Sequence, residues 1–202
     1  MRAVELAHQV DWAGWRAAAR ALAGAGVPPE QVVWSVGASA DLFAEPAALP
    51  EGAPSFAVPR AFVDLAETVI MAREPARFAL LYALLWRLRG GERHLLAQAA
   101  DPAVARAEGL AKSVRRDIHK MRAFLRFRAV QEGAQTRYVA WFEPEHHILE
   151  ANAPFFVRRF ATMVWSILTP ERSAHWTGET LQIGPGANPA DVPDDDRLEA
   201  YW

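Results

Sequence analysis

Three observations predict an α+β fold. Residues 59–120 carry sustained helical periodicity, with Phe62, Leu65, Ala66, Val69 and Ile70 spaced at i, i+3, i+4, i+7 and i+8. Both flanks carry short apolar or alternating runs bounded by Gly, Pro, Asn and Asp, the signature of strands. Arg122–Val130 and Arg137–Phe142, joined near Gly133, read as an antiparallel hairpin. The expected architecture is a helical cluster over about 59–120 packed on a mostly antiparallel sheet, with strands drawn from both ends of the chain.

The chain has 202 residues and is 51% apolar, enough for a substantial core in one domain. It contains no cysteine, which removes disulfides, thiolate metal sites, iron–sulfur clusters and a cysteine nucleophile. The first residues carry no apolar leader, and no apolar run approaches the roughly 20 residues of a membrane span. A cytoplasmic protein with no membrane partner is expected. Net charge is only −2, but its distribution is uneven. Lys112, Arg115, Arg116, Lys120, Arg122, Arg126 and Arg128 face one acid, Asp117, so this window is +6 and the remainder −8.

In chain order, Arg2–Val10 suggests a strand. Asp11 caps a helix to about Ala23 with Trp12, Trp15, Ala19 and Leu22 on one face, and Gly24 and Gly26 stop it. Gln31–Val36 reads as a strand, and residues 39–58, rich in Ala, Pro and Glu, as a surface loop. Helices follow from Pro59 and from Pro75; the second is apolar over most of its circumference and therefore central. A short helix near His94–Ala99 precedes an Asp101-Pro102 cap and start for a longer one. There Val104, Ala107, Ala111, Val114, Ile118 and Met121 form an apolar stripe, while Lys112, Arg115, Arg116, His119 and Lys120 occupy another arc. A helix is expected from Pro144 to about Ala151, and another opening at Pro154. Val164–Leu168, Ser173–Trp176 and Thr180–Ile183 read as strands, and residues 184–196 as loop. Asp195 or Asp196 caps a last helix that has barely begun at Trp202, so the chain reads as truncated there.

The densest chemistry lies in Trp141–Glu150, where Glu143, Glu145 and Glu150 accompany the adjacent His146 and His147. On a helix His146, Glu150 and His147 would fall at about 0°, 40° and 100°, on one polar side. Carboxylates converging on neutral imidazoles suit a divalent metal at His146, His147 and Glu150, or an acid/base pair. The spacing matches neither the zincin motif nor the Glu-x-x-His pairs of di-iron bundles, which favours a structural or phosphate-contacting role. Phe124 among Arg122, Arg126 and Arg128 is an arrangement that stacks bases and neutralises phosphates, or equally an exposed sheet face paired with glutamates.

Asp117-Ile118-His119-Lys120-Met121-Arg122-Ala123-Phe124, Tyr138-Val139-Ala140-Trp141-Phe142-Glu143-Pro144-Glu145-His146-His147-Ile148 and Pro154-Phe155-Phe156-Val157-Arg158-Arg159-Phe160 resemble a bacterial family of DNA-metabolism proteins. Trp165-Ser166-Ile167-Leu168-Thr169-Pro170 and Ser173-Ala174-His175-Trp176 extend the resemblance along the chain. The family carries a domain of unknown function. It is encoded beside a radical-SAM DNA-repair protein and is often fused to the N-terminal side of a uracil-DNA glycosylase-like, uracil-DNA-binding module. What the resemblance implies is association with DNA repair, without a catalytic residue to carry over.

Three expectations follow. The first is a DNA-binding accessory domain without catalysis of its own. In it Lys112, Arg115, Arg116, Lys120, Arg122, Arg126, Arg128, Arg158 and Arg159 contact phosphates, and Phe124, Trp141, His175 and Trp176 lie at the bases. No cofactor is expected for it; its partners are DNA and the glycosylase-like module or radical-SAM protein. The second is a hydrolytic enzyme acting on nucleic acid with a divalent metal, through His119, Glu143, Glu145, His146, His147 and Glu150. The third is a protein-docking module for a repair partner, which requires an uncharged aromatic patch larger than the basic one.

Overall fold

The computed structural model describes residues 1–37, 49–50, 52, 56–132 and 135–191. The chain groups into two compact units, Met1–Arg115 and Arg116–Trp202. The architecture is α+β, with five α-helices and two sheets among the described residues.

The first unit begins with β1 (Arg2–Leu6), α1 (Trp12–Gly24) and β2 (Val32–Val36). Asp11 caps α1 as expected, its Oδ1 accepting the Gly14 N–H at 2.8 Å. After α1, Gly26 takes a left-handed φ of 77°, which only glycine adopts without strain. β1 and β2 pair in parallel from Arg2↔Val32 to Leu6↔Val36. They form a two-stranded sheet of their own, so one sheet drawn from both ends of the chain is not what is found. The pairing is parallel because α1 is a crossover that returns the chain in the same direction.

α2 (Arg60–Val69) and α3 (Arg77–Arg89) supply the rest of this unit's core, with the first part of α4 (Pro102–Phe124). Phe62, Leu65, Ala66 and Val69 are the buried face of α2, as its periodicity predicts. α3 buries Phe78, Leu81, Tyr82, Leu84, Leu85 and Leu88, which fits the central position expected of it. Four aromatic rings form a chain through the core: Trp12–Trp15 at 5.5 Å, Trp15–Trp34 at 6.0 Å and Trp34–Tyr82 at 5.6 Å. The Tyr82 hydroxyl donates to the Val27 carbonyl at 2.6 Å, and burial pushes its pKa up to about 12. Arg77 is buried with carbonyl partners: Nε donates to Ile70 at 2.9 Å and Nη2 to Gln9 at 2.7 Å. Desolvation lowers its pKa to about 10.

The second unit holds the end of α4, then β3 (Arg128–Glu132), β4 (Gln135–Trp141), α5 (Leu149–Arg159), β5 (Trp165–Leu168), β6 (Arg172–Trp176) and β7 (Leu181–Pro185). The strands form one sheet in chain order. Every neighbouring pair is antiparallel except β4 and β5, which run parallel across the α5 crossover from Tyr138↔Trp165 to Trp141↔Leu168. On one face Trp165 lies against Phe127 at 6.0 Å and Phe156 at 6.4 Å, a cluster that packs α5 onto the sheet.

Three boundaries differ from expectation. α4 runs to Phe124, so Arg122 and Phe124 are helical and the strand starts only at Arg128. The helical i→i−4 bonds persist past the alternating side-chain pattern, with Leu125 N–H still bonded to the Met121 carbonyl. Residues 143–148 form no helix, and α5 starts at Leu149 with Pro154 inside it rather than at its start. The tertiary packing of Leu149, Ala153 and Phe156 outweighs the hydrogen bond that Pro154 cannot make. β7 reaches Pro185, into the segment expected to be loop. There a Cβ on Gly186 would collide with the Pro170 carbonyl, so only glycine lets this stretch lie against the β5–β6 turn. The loop expected over 39–58 and the helix after Asp195 fall largely or wholly outside the described residues.

Candidate functional site

At about 100° per residue, α4 divides into two arcs. Val104, Ala107, Ala111, Val114 and Met121 are buried as expected. Asp117 falls on the same arc and is only 2% exposed. Its Oδ2 accepts the His146 N–H at 2.9 Å, and the Glu145 N–H also bonds to it. Burial raises the Asp117 carboxyl above its ordinary range, opposed by these backbone donors. This is the residue that sequence reasoning missed, and the signal was present: a carboxylate inside an apolar stripe must be buried and must have a partner.

Asp117 anchors the 143–148 segment, and each charged side chain there goes to a different partner. Lys120 Nζ meets Glu145 Oε1 at 2.6 Å, which holds the Glu145 carboxyl below its ordinary range. Trp141 Nε1 donates to Glu143 at 2.9 Å. His147 Nδ1 meets Glu171 Oε2 at 2.7 Å with its side chain 11% exposed, and Glu150 pairs with Arg172 at 3.0 Å. Because the segment is not helical, His146, His147 and Glu150 do not share the polar side that helical geometry would give them. Among the described residues no three His, Asp or Glu side chains converge in a way that could hold a metal ion. His119 lies exposed on α4. The stretch is a clasp between the end of β4 and the start of α5, tied to α4 through Asp117 and Lys120 and to the start of β6 through Glu171 and Arg172.

Asn152 reinforces the clasp from α5. It is fully buried and accepts from Arg122 Nε at 2.6 Å, while the Arg122 guanidinium lies 4.7 Å over the Phe155 ring. On the sheet, His175 is held between two buried serines. Its Nδ1 is 2.8 Å from Ser166 Oγ and its Nε2 2.9 Å from Ser173 Oγ. Burial, with Arg137 nearby, lowers its pKa and favours the neutral imidazole. Trp176 directs its Nε1 to the Ala161 carbonyl at 3.0 Å. Both residues of the His175-Trp176 pair are half-buried.

Some of the cations pair with side chains of the clasp and its neighbours, and several are exposed. Lys120, Arg122 and Arg172 are bonded to Glu145, Asn152 and Glu150. Arg126, Arg158 and Arg159 are exposed, as are Arg116 and Arg128. Lys112 and Arg115 are exposed on the part of α4 that belongs to the first unit. Arg126 folds back so that Nη1 donates to the Ala123 carbonyl at 2.8 Å and the Leu125 carbonyl at 3.0 Å, capping the last turn of α4. Between these carbonyls stands Phe124, 68% exposed and the one exposed large hydrophobic residue described in the second unit.

This segment runs along α5. Arg122 contacts Asn152 and Phe155 at one end, and Phe127 meets Phe160 at 5.3 Å at the other. Residues 124–126 therefore lie beside the part of α5 that carries Arg158 and Arg159, giving the second unit a basic edge with a single aromatic ring.

A family described as a domain of unknown function, DUF4130, matches residues 75–202. The chain belongs to this family. The DUF4130 match begins just before α3 and includes α4, the clasp and the whole second sheet. No curated protein and no solved structure matches the chain.

Proposed function

We propose that this DUF4130 protein is a DNA-binding accessory module in DNA repair or metabolism, working beside a uracil-DNA glycosylase-like module or a radical-SAM repair protein. The observation that carries the binding reading is the edge of the second unit where Phe124, Arg158 and Arg159 are exposed, with the Arg126 guanidinium folded back on the end of α4 beside Phe124. Two acids of the clasp, Glu145 and Glu150, are already paired with Lys120 and Arg172. Arginine at such a surface suits phosphate, since its planar fork bonds two oxygens at once. The repair association is supported by the family resemblance in the motif strings, and the partners are proposed on the same ground.

Counterion release makes phosphate binding salt-dependent, with log K falling by about 0.7–0.9 per neutralised phosphate for each decade of salt. Fluorescence anisotropy with labelled single- and double-stranded oligonucleotides, with and without uracil, should show affinity falling steeply between 50 and 200 mM salt, the range over which such contacts weaken by about a decade or more. Charge-reversal of Arg158 and Arg159 to Glu should abolish the binding. Absence of binding, or binding insensitive to salt, would overturn the proposal.

A further inference from the structure

We propose that the basic edge of the second unit selects single-stranded over duplex DNA, with Phe124 as the stacking residue; this rests on the DNA-binding reading above. The other aromatic rings weighed for stacking are committed elsewhere. Trp141 donates to Glu143, Trp176 donates to Ala161 O, and His175 is bonded by Ser166 and Ser173. Phe124 is different. It has 68% of its surface in water, while the nearby Phe127 and Phe156 pack against Trp165.

The backbone that carries the ring is also held in place. Phe124 stands on the final turn of α4, and Arg126 bonds the carbonyls on both sides of it, Ala123 and Leu125. With the backbone already fixed, only the rotation of the Phe124 side chain is left to be lost when a base stacks on it. Arg158 and Arg159, exposed on the last turn of α5, would supply the phosphate contacts that accompany such stacking. In a duplex the bases are already stacked on one another, so Phe124 would have no face to cover without kinking the helix. A lone ring bordered by arginines is too small an apolar area for a protein-docking patch.

The test compares the intact chain with Phe124→Ala and Phe124→Tyr on a labelled oligothymidylate and on a duplex of equal length. The intact chain should prefer the single strand. Phe124→Ala should weaken single-strand binding about ten- to a hundred-fold, with duplex binding and the salt slope unchanged, because stacking neutralises no phosphate. Phe124→Tyr should restore the preference. Exposure of Phe124 means the Ala variant should fold, with an unchanged urea midpoint as the control. If both DNAs bind with salt dependence and Phe124→Ala changes neither, or weakens both equally, the strand preference is wrong while the DNA-binding proposal stands. If neither DNA binds, both fall.

Discussion

The two units solve the problem of a stable interior in opposite ways. In Met1–Arg115 the one buried charged or polar residue described is Arg77, and the rest of the buried interior is the apolar side chains of β1, β2 and the helices. In Arg116–Trp202 the interior also contains Asp117, Asn152, Ser166, Thr169 and Ser173. Apolar burial is non-directional and tolerates substitutions of similar volume. Buried polar groups are directional, and loss of one partner exposes the desolvation cost of the other. The first unit should therefore respond to volume, and the second to the identity and protonation of single polar residues.

The largest effect is expected in the first unit. Trp15 is 1% exposed, stacks on Trp12 and donates Nε1 to the Phe78 carbonyl at 3.3 Å. Trp15→Ala should cost about 3–5 kcal/mol, read as a fall in the urea midpoint. A loss below about 1 kcal/mol would mean that the aromatic chain is not the centre of that core.

Next comes Asp117. Asp117→Ala leaves the Glu145 and His146 N–H groups without their acceptor and should cost about 1–3 kcal/mol, while Asp117→Asn keeps an acceptor and should cost less. The pH dependence carries a sign. The folded pKa is raised above the unfolded value of about 3.9, so Asp117's contribution is fully present below that pH and is lost as pH rises through the folded pKa. Relative to Asp117→Asn, the intact protein should lose stability as pH rises from about 4. A relative gain would show that the backbone donors, not desolvation, dominate.

These two residues also mark how far the sequence could be read. Trp15 was legible because an amphipathic helix places its apolar positions by period alone. So were Asp11 and Asp101 as caps, since a cap is a local device: Asp101 Oδ1 accepts the Val104 N–H at 3.1 Å. The clasp was recognised as chemistry but misjudged as geometry. Pro144 is an adequate helix start locally, yet the segment is fixed by Asp117 and Glu171, each more than twenty residues away along the chain. Parallel pairing of β1 with β2 and of β4 with β5 was equally hidden, because strand register across a helical crossover leaves no mark in local alternation. Phe124, singled out in the sequence for its arginine neighbours, stands on a helix rather than a strand.

The sheet supplies a titration of opposite sign to that of Asp117. His175 has its pKa lowered by burial and by Arg137, so the stability it contributes is present above the ordinary histidine value and is lost as pH falls through the folded pKa. The melting temperature should decline below about pH 6.5 in the intact protein and less in His175→Gln. The imidazole resonances of His175 should show no titration until below that value. A histidine that titrates normally would show that the serine network is open to water.

The smallest effect is expected at the surface of the same clasp. Lys120 and Glu145 meet at 2.6 Å but are 43% and 51% exposed, so solvent and salt screen the pair. The Glu145 carboxyl is lowered mainly by its bond to Lys120, and its stabilisation therefore acts above the unfolded glutamate value and fades as pH falls through the folded one. Glu145→Gln should leave the urea midpoint at neutral pH almost unchanged, and any difference should vanish in high salt. A loss as large as that of Asp117→Ala would locate the hold on the clasp in the exposed ion pair. The expected contrast places it in the buried carboxylate, because Asp117 is 2% exposed and bonds to backbone N–H groups, whereas Lys120 and Glu145 exchange each other for water at little cost.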